Sequence, residues 1–286
     1  MRLFDVETQE NLLLYLVLPH FIKVNFLAPD DIAKIQQMNR VGNLIINTGE
    51  KANVYNEQHG YTDGCEGAAY PLIQIVGDQN RKRNHLGSVL EIGAGSGFLT
   101  AKLIQQSSRW RAVEPSYDFS EKLRSISTEH PTCKLEVIQS EIQEMEFPER
   151  EFDTIFLMYT LHHLIGRVSI FEKIGRWLKP GGMVYVLDPR HNIFRVVSLT
   201  RKFIQSYRKS KSKRLMTTHD YVSKIELRYL CRQNGLKLVR LSALDFPIVS
   251  RSYQKNRAMQ YRFENVINRI PLIEHFGRFV FATITK

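Results

Sequence analysis

Residues 89–100 read Val-Leu-Glu-Ile-Gly-Ala-Gly-Ser-Gly-Phe-Leu-Thr, an apolar run that meets glycine at three alternate positions and then resumes with helical character. No other stretch constrains the chain as much. A strand that turns sharply into a helix, with a ligand approaching its main chain, calls for residues without a Cβ. A GxGxxG dinucleotide fingerprint would have its third glycine at position 98, where this chain has Phe98, and the spacing here is GxGxG. No Gly-Lys-Ser/Thr follows, so a phosphate-cradling P-loop is excluded as well.

From Ser88 onward short apolar runs alternate with amphipathic segments, the pattern of βαβ units on a parallel sheet. Strands are expected at Ser88–Ile92, Arg111–Glu114, Lys134–Ile138, Thr154–Met158, Met183–Leu187 and Leu236–Leu241, with a seventh at Phe279–Ile284. Between the fourth and fifth, Ile165, Val168, Phe171, Ile174 and Leu178 recur at helical spacing, and Lys179-Pro180-Gly181-Gly182 stops the helix. Ser223 and Glu226 have capping-box spacing, and Gly235 is placed to end the helix they start.

Residues 1–85 show no such alternation and read as a helical N-terminal cap, which leaves 86–286 as the catalytic-type domain. Leu12–Leu18 is interrupted by Pro19, His20 and Lys23 well short of the roughly 20 residues a bilayer span needs. With Asp5, Glu7 and Glu10 following Arg2, the start lacks the form of a signal peptide, and the expected location is cytoplasmic. Three cysteines, Cys65, Cys133 and Cys231, stand far apart with no metal-ligand spacing, so neither disulfides nor a metal site are expected.

Glu114 closes the second strand nineteen residues past Gly95, where a carboxylate can accept both hydroxyls of a ribose. Glu91-Ile-Gly-Ala-Gly-Ser-Gly97, Val113-Glu-Pro-Ser116, Phe147–Asp153, Leu161-His-His-Leu164 and Leu178-Lys-Pro-Gly-Gly-Met183 follow in order. In that order and spacing they resemble the successive motifs of class I S-adenosylmethionine-dependent methyltransferases, closest to the ubiquinone and menaquinone biosynthesis branch (methyltransferase type 11). The resemblance covers about residues 85–245 and the last strand. It implies an α/β, Rossmann-like, seven-stranded and mostly parallel sheet with helices on both faces, and S-adenosyl-L-methionine as cofactor. It further implies that Glu91 orients the methionine ammonium through the loop, and that Gly93, Ala94, Gly95 and Gly97 line the methionine and ribose. Glu114, with Pro115 and Ser116, would hold the ribose hydroxyls; Glu141 and the Ile142 amide would meet the adenine; Met158 and Tyr159 would flank the sulfonium. The family usually has Gly-Asp where this chain has Ser140-Glu141.

Methyl transfer from a sulfonium is an in-line displacement with an activated electrophile, so most of the task is alignment of the nucleophile about 3 Å from the methyl carbon. A base is needed only for a neutral alcohol or a weakly acidic carbon, and His163, Asp188 and His191 are the candidates, with His162 beside them. Asp188 has a structural reading too, as a strand-end residue pairing with Arg190. Met158-Tyr-Thr-Leu161 does not resemble the Asn/Asp-Pro-Pro-Phe/Tyr signature of nucleic-acid amino-methylases, and no cysteine sits at the end of strand four or five.

The formal charge of +11 is concentrated: Arg190–Arg214 holds nine Lys or Arg and no Asp or Glu, interleaved with Ile193, Phe194, Val197, Phe203 and Tyr207. This basic amphipathic segment, 190–218, and a second insertion, 247–271, are expected to form acceptor lids. Together they favour transfer to an oxygen or carbon of a hydrophobic or anionic small molecule. Peripheral contact with an anionic membrane or an acidic carrier protein also fits. The rivals are a non-methylating protein of the same fold, such as a cyclase, and an RNA methyltransferase, nucleic acid being the less favoured partner.

Overall fold

The computed structural model describes residues 85–129, 134–164, 166–192, 221–246, 256–270 and 276–286, with short pieces at 19, 70, 72–74, 76–77, 196–197 and 200–201. The expected cap over 1–85 and most of the basic segment 190–218 lie outside the described residues. What is described at 72–77 is helical, and Leu72 and Val76 are buried.

Seven strands form one sheet: β1 (Ser88–Ile92), β2 (Arg109–Val113), β3 (Leu135–Ile138), β4 (Phe152–Met158), β5 (Leu178–Pro189), β6 (Lys237–Leu244) and β7 (Phe279–Thr285). Their order is β3-β2-β1-β4-β5-β7-β6, all parallel except β7, which runs antiparallel to both its neighbours. All seven expected strands are present, most of them shifted or lengthened by a few residues. The largest difference is β5, which already begins at Leu178 and carries Pro180 and Gly181 within it across a register shift against β4.

Continuous apolar runs arise because the sheet is covered on both faces. Leu90, Ile92, Ile155, Leu157, Val184 and Val186 point to one layer, closed by the helices α3 (Arg167–Trp177) and α4 (Lys224–Gln233). Their neighbours in sequence, Val89, Phe156, Tyr185 and Leu187, point to the other, closed by α1 (Phe98–Leu103) and α2 (Tyr117–Glu129). Within the second layer Trp110, Phe156 and Tyr185 stack in a row across the strands, at centroid distances of 5.7 and 5.3 Å. Each such fully buried side chain contributes about 1.5–3 kcal/mol.

The inward face of α3 differs from the one its spacing suggested. Arg167, Ile170, Phe171, Ile174 and Trp177 are buried, while Val168 is half exposed at 50% and Leu178 belongs to β5. Ser223 caps α4 as expected: its Oγ accepts from the Glu226 amide at 3.0 Å, and Glu226 Oε2 accepts from the Ser223 amide at 3.5 Å. Gly235 follows with φ +64°, as a helix-ending residue should. A fifth helix, α5 (Arg257–Ile267), occupies the insertion between β6 and β7.

Strand order reverses between β1 and β4, since the chain winds outward through β2 and β3 on one side and through β5 on the other. In an open α/β sheet that crevice, at the carboxyl ends of the strands, is where ligands bind. Among the described residues no helix is long and apolar enough to cross a membrane, and no three His, Cys, Asp or Glu side chains converge on a metal site.

Candidate cofactor and acceptor site

The glycine loop opens at the end of β1. Gly93, Gly95 and Gly97 all take positive φ, at +68°, +56° and +91°. A Cβ on Gly93 would lie 2.3 Å from Thr160 Oγ1, so the β4 exit presses on the loop and leaves no room for a side chain. Thr160 Oγ1 in turn lies within hydrogen-bond reach of the Ile92 (2.9 Å), Gly93 (3.2 Å) and Met158 (3.1 Å) carbonyls, joining the two strand ends at the switch point.

Glu114, one residue beyond β2, faces the loop. Its Oε2 accepts from the Gly95 amide at 2.8 Å and its Oε1 from the Ser116 amide at 2.9 Å. Burial pushes its pKa up to about 6, against the two amide bonds that favour the carboxylate. Pro115 is exposed and Ser116 buried behind it. Across the next strand gap the Glu114 amide donates to Ile138 O at 3.0 Å, which brings the stretch after β3 alongside. Glu141 there is half-buried and precedes a 3-10 turn, Ile142–Glu144, with Ile142 buried.

Glu91 is buried, at 1% exposure. Its Oε2 accepts from Thr100 Oγ1 at 2.5 Å and Trp110 Nε1 at 3.0 Å, and burial raises its pKa to about 7. The carboxyl therefore ties α1 to β2 beneath the loop, and any influence on a bound ammonium passes through the backbone it braces. By contrast Ser96 Oγ, in the loop itself, is buried without a hydrogen-bond partner among the described residues. A buried hydroxyl left unpaired costs about 1–3 kcal/mol, so its presence fits a site that is completed by a polar ligand.

On the acceptor side β4 ends in Met158, and Tyr159 takes a left-handed backbone at φ +55°. For a bulky aromatic residue that conformation is costly and typical of functional turns. The Tyr159 amide donates to Leu187 O at 2.8 Å and its ring meets Phe279 edge-on at 5.5 Å. A 3-10 turn, Leu161–His163, follows.

Asp188 lies beneath that turn with no exposed surface. Its Oδ2 accepts from the Leu161 amide at 2.8 Å and its Oδ1 from the His162 amide at 3.2 Å, while His162 Nδ1 lies 2.9 Å from Oδ1. His162 is thus a partner of Asp188. Burial raises the Asp188 pKa to about 7, opposed by the nearby charges of Arg167 and His163. An ionised Asp188 fixes the proton of His162 on Nδ1 and leaves Nε2 as the lone-pair nitrogen. His163 is half-buried, its ring 3.9 Å from that of His162. His191 is also half-buried, past the end of β5, where its amide donates to Val222 O at 2.9 Å.

The structure thus gathers Gly93–Gly97, Glu114–Ser116, Met158, Tyr159 and the His162–His163 turn at one edge of the sheet. Sequence reasoning missed Ser96, Thr160, Thr100 and Trp110, and named Asp188 and His162 as candidates without seeing that they pair. The clash at Gly93 offered one signal: a glycine so close to a strand end implies a side chain pressing on it from the neighbouring strand.

Residues 90–186 match the family described as a methyltransferase domain. Phosphoethanolamine N-methyltransferase 3 of Arabidopsis thaliana is 31% identical over 35% of this chain and 20% of its own length. The ubiquinone biosynthesis O-methyltransferase of Nitrosococcus oceani is 24% identical over 63% of this chain and 78% of its own. The crystal structure of the [4+2]-cyclase SpnF superposes with a TM-score of 0.57 at 15% identity, covering 88% of this chain and 95% of that one, which is a likeness of fold alone. The chain spans less than two thirds of the length of the first curated relatives it matches. Over that stretch the chain is similar to the class I S-adenosylmethionine-dependent methyltransferases, the ubiquinone and menaquinone biosynthesis enzymes among them. The cofactor of that family is S-adenosyl-L-methionine.

Proposed function

We propose that this chain is an S-adenosylmethionine-dependent methyltransferase that moves a methyl group to an oxygen or carbon of a hydrophobic or anionic small molecule. The observation that carries the reading is the buried Glu114 carboxylate bonded to the Gly95 amide at the carboxyl edge of β1 and β2. When bound, S-adenosylmethionine supplies a methyl group already activated by its sulfonium. Glu114 would hold the ribose hydroxyls, Gly93, Ala94, Gly95, Ser96 and Gly97 the methionine and ribose, and Glu141 and Ile142 the adenine. Met158 and Tyr159 would flank the sulfur.

His162, 6% exposed, would act through Nε2, turned into an acceptor by Asp188, to take a proton from an acceptor hydroxyl or carbon acid, with the half-buried His163 beside it and His191 a further candidate. The name of the Nitrosococcus relative supports an oxygen as the methylated atom. The nine basic residues of Arg190–Arg214 support an anionic acceptor, or one presented by an anionic membrane or an acidic carrier protein.

Titration calorimetry with S-adenosylhomocysteine tests the cofactor half. Formation of S-adenosylhomocysteine from S-adenosylmethionine with phenolic and lipid acceptors tests the transfer half. The likeness to a cyclase fold favours a second reading, in which the cofactor binds and no methyl moves. Tight cofactor binding with turnover of an acceptor and no S-adenosylhomocysteine release would establish that one instead.

A further inference from the structure

Arg167 opens α3 and is 1% exposed, a rare position for an arginine unless its charge and all its donors are matched. Its Nε donates to the Leu161 and Leu164 carbonyls, at 2.9 Å each, and its Nη1 to Glu226 Oε1 at 2.6 Å. Glu226 is 2% exposed and is the same residue whose other oxygen closes the capping box of α4. From the opposite side, Asp188 takes the amides of Leu161 and His162. The turn that carries the two histidines is therefore gripped by its carbonyls from a buried cation and by its amides from a buried anion. The cation is tied in turn to the end of a different helix.

We propose that Arg167 and Glu226 are positioning residues of the acceptor site, a buried ion pair that fixes the 161–164 turn and sets which nitrogen of His162 carries the proton. This rests on the reading of His162 as the proton acceptor in methyl transfer. A charge pair isolated in the interior is weak support for stability, since apolar residues of similar volume often replace it at no loss. Here it has a further use. Asp188 keeps His162 in the Nδ1–H form only while it is a carboxylate, and Arg167 is the cation that favours that form. Without Arg167 a protonated Asp188 would donate to Nδ1, and the imidazole proton would move to Nε2, the wrong tautomer for a base. Lysine cannot substitute, because the planar guanidinium reaches two carbonyls and a carboxylate in fixed directions at once.

The test reads the tautomer directly, by long-range proton–nitrogen NMR at pH 8.5, above the Asp188 pKa of about 7, on protein labelled with nitrogen-15 in histidine, the His162 signals being assigned by their loss in His162→Gln. The parent should show Nδ1–H. Arg167→Met combined with Glu226→Leu removes both charges together, so the fold should survive, yet about half or more of His162 should convert to Nε2–H. S-adenosylhomocysteine affinity should stay within about twofold, because neither residue lines the glycine loop. A folded double variant with the parent's tautomer would overturn the assignment, as would a parent already in the Nε2–H form. If the double variant does not fold, Arg167→Gln combined with Glu226→Gln, which removes both charges but keeps hydrogen-bonding groups, decides: conversion supports the assignment and none overturns it. Failure of the parent to bind S-adenosylhomocysteine would sink the methyltransferase reading while leaving the NMR result to stand or fall by itself.

Discussion

The Gly95 amide and the Glu114 carboxylate are joined by a 2.8 Å hydrogen bond between the chain segments leaving β1 and β2, and the second carboxylate oxygen is held by Ser116 at 2.9 Å. Glu114 is thus fixed before any ligand arrives, with lone pairs on both oxygens still available to further donors. Little ordering is left for binding to supply.

Glu114→Ala should weaken S-adenosylhomocysteine binding tenfold or more, since a hydrogen bond to a charged group is worth about 1.5–3 kcal/mol. Gly95→Val should do at least as much, because φ +56° is hostile to a β-branched residue and its side chain enters ligand space. Calorimetry in which both variants match the parent would refute the site.

Binding should also depend on pH through Glu114. Its pKa of about 6 means that it is a carboxylate at pH 7.5 and largely a neutral acid at pH 5, where one of its acceptor sites has become a donor. Affinity is expected to fall as pH drops through about 6, and a titration series flat from pH 7.5 to 5 would count against the ribose assignment.

Stability should respond to pH in the other sense at Glu91. Its folded pKa, about 7, is raised above the ordinary 4.5, so the native chain binds the proton more tightly than the unfolded one. The stabilisation this brings is fully present below about 4.5 and is lost as pH rises through about 7. Glu91→Gln, neutral at every pH, should therefore gain on the parent between pH 5 and pH 7.5 in urea unfolding. An equal difference at both pH values would show that Glu91 is not perturbed.

Gly93→Ala should destabilise the fold by about 2–4 kcal/mol, combining strain at positive φ with a Cβ driven against Thr160. Adding Thr160→Ala removes the atoms in the way and should recover part of the lost melting temperature. Two fully additive losses would mean that the strands do not meet there.

Replacement of Arg208, Lys209, Lys211 and Lys213 by Ser should leave S-adenosylhomocysteine binding intact and reduce association with phosphatidylglycerol vesicles at low salt. Each basic residue near such a surface adds about 1 kcal/mol. A parent chain that does not sediment with these vesicles would dismiss the membrane.

Strands and cofactor loop were legible in the sequence because their signals are local. An apolar run buried on both faces, glycines at alternate positions and Ser223 three residues before Glu226 are each contained in a short window. The acceptor turn was not legible. Asp188 and His162 are 26 residues apart and Arg167 and Glu226 are 59 apart, so their pairing exists only once β4, β5, α3 and α4 have docked. Arg167 also stands beside Val168 in an amphipathic helix, where an arginine reads as solvent-facing and a valine as core. The fold reverses both, since an arginine with three matched acceptors can be buried more readily than its polarity implies.

The placement of β7 between β5 and β6 has a consequence for synthesis. Among the described residues strand β6 pairs with no strand other than β7, and β5 reaches β6 only across it. Until Phe279–Thr285 has left the ribosome, the β5 edge and the Lys237–Leu244 segment lack the strand that each pairs with among the described residues. A nascent chain in that state exposes apolar strand edges of the kind that aggregate, which makes the interval before β7 emerges the period of greatest need for a chaperone.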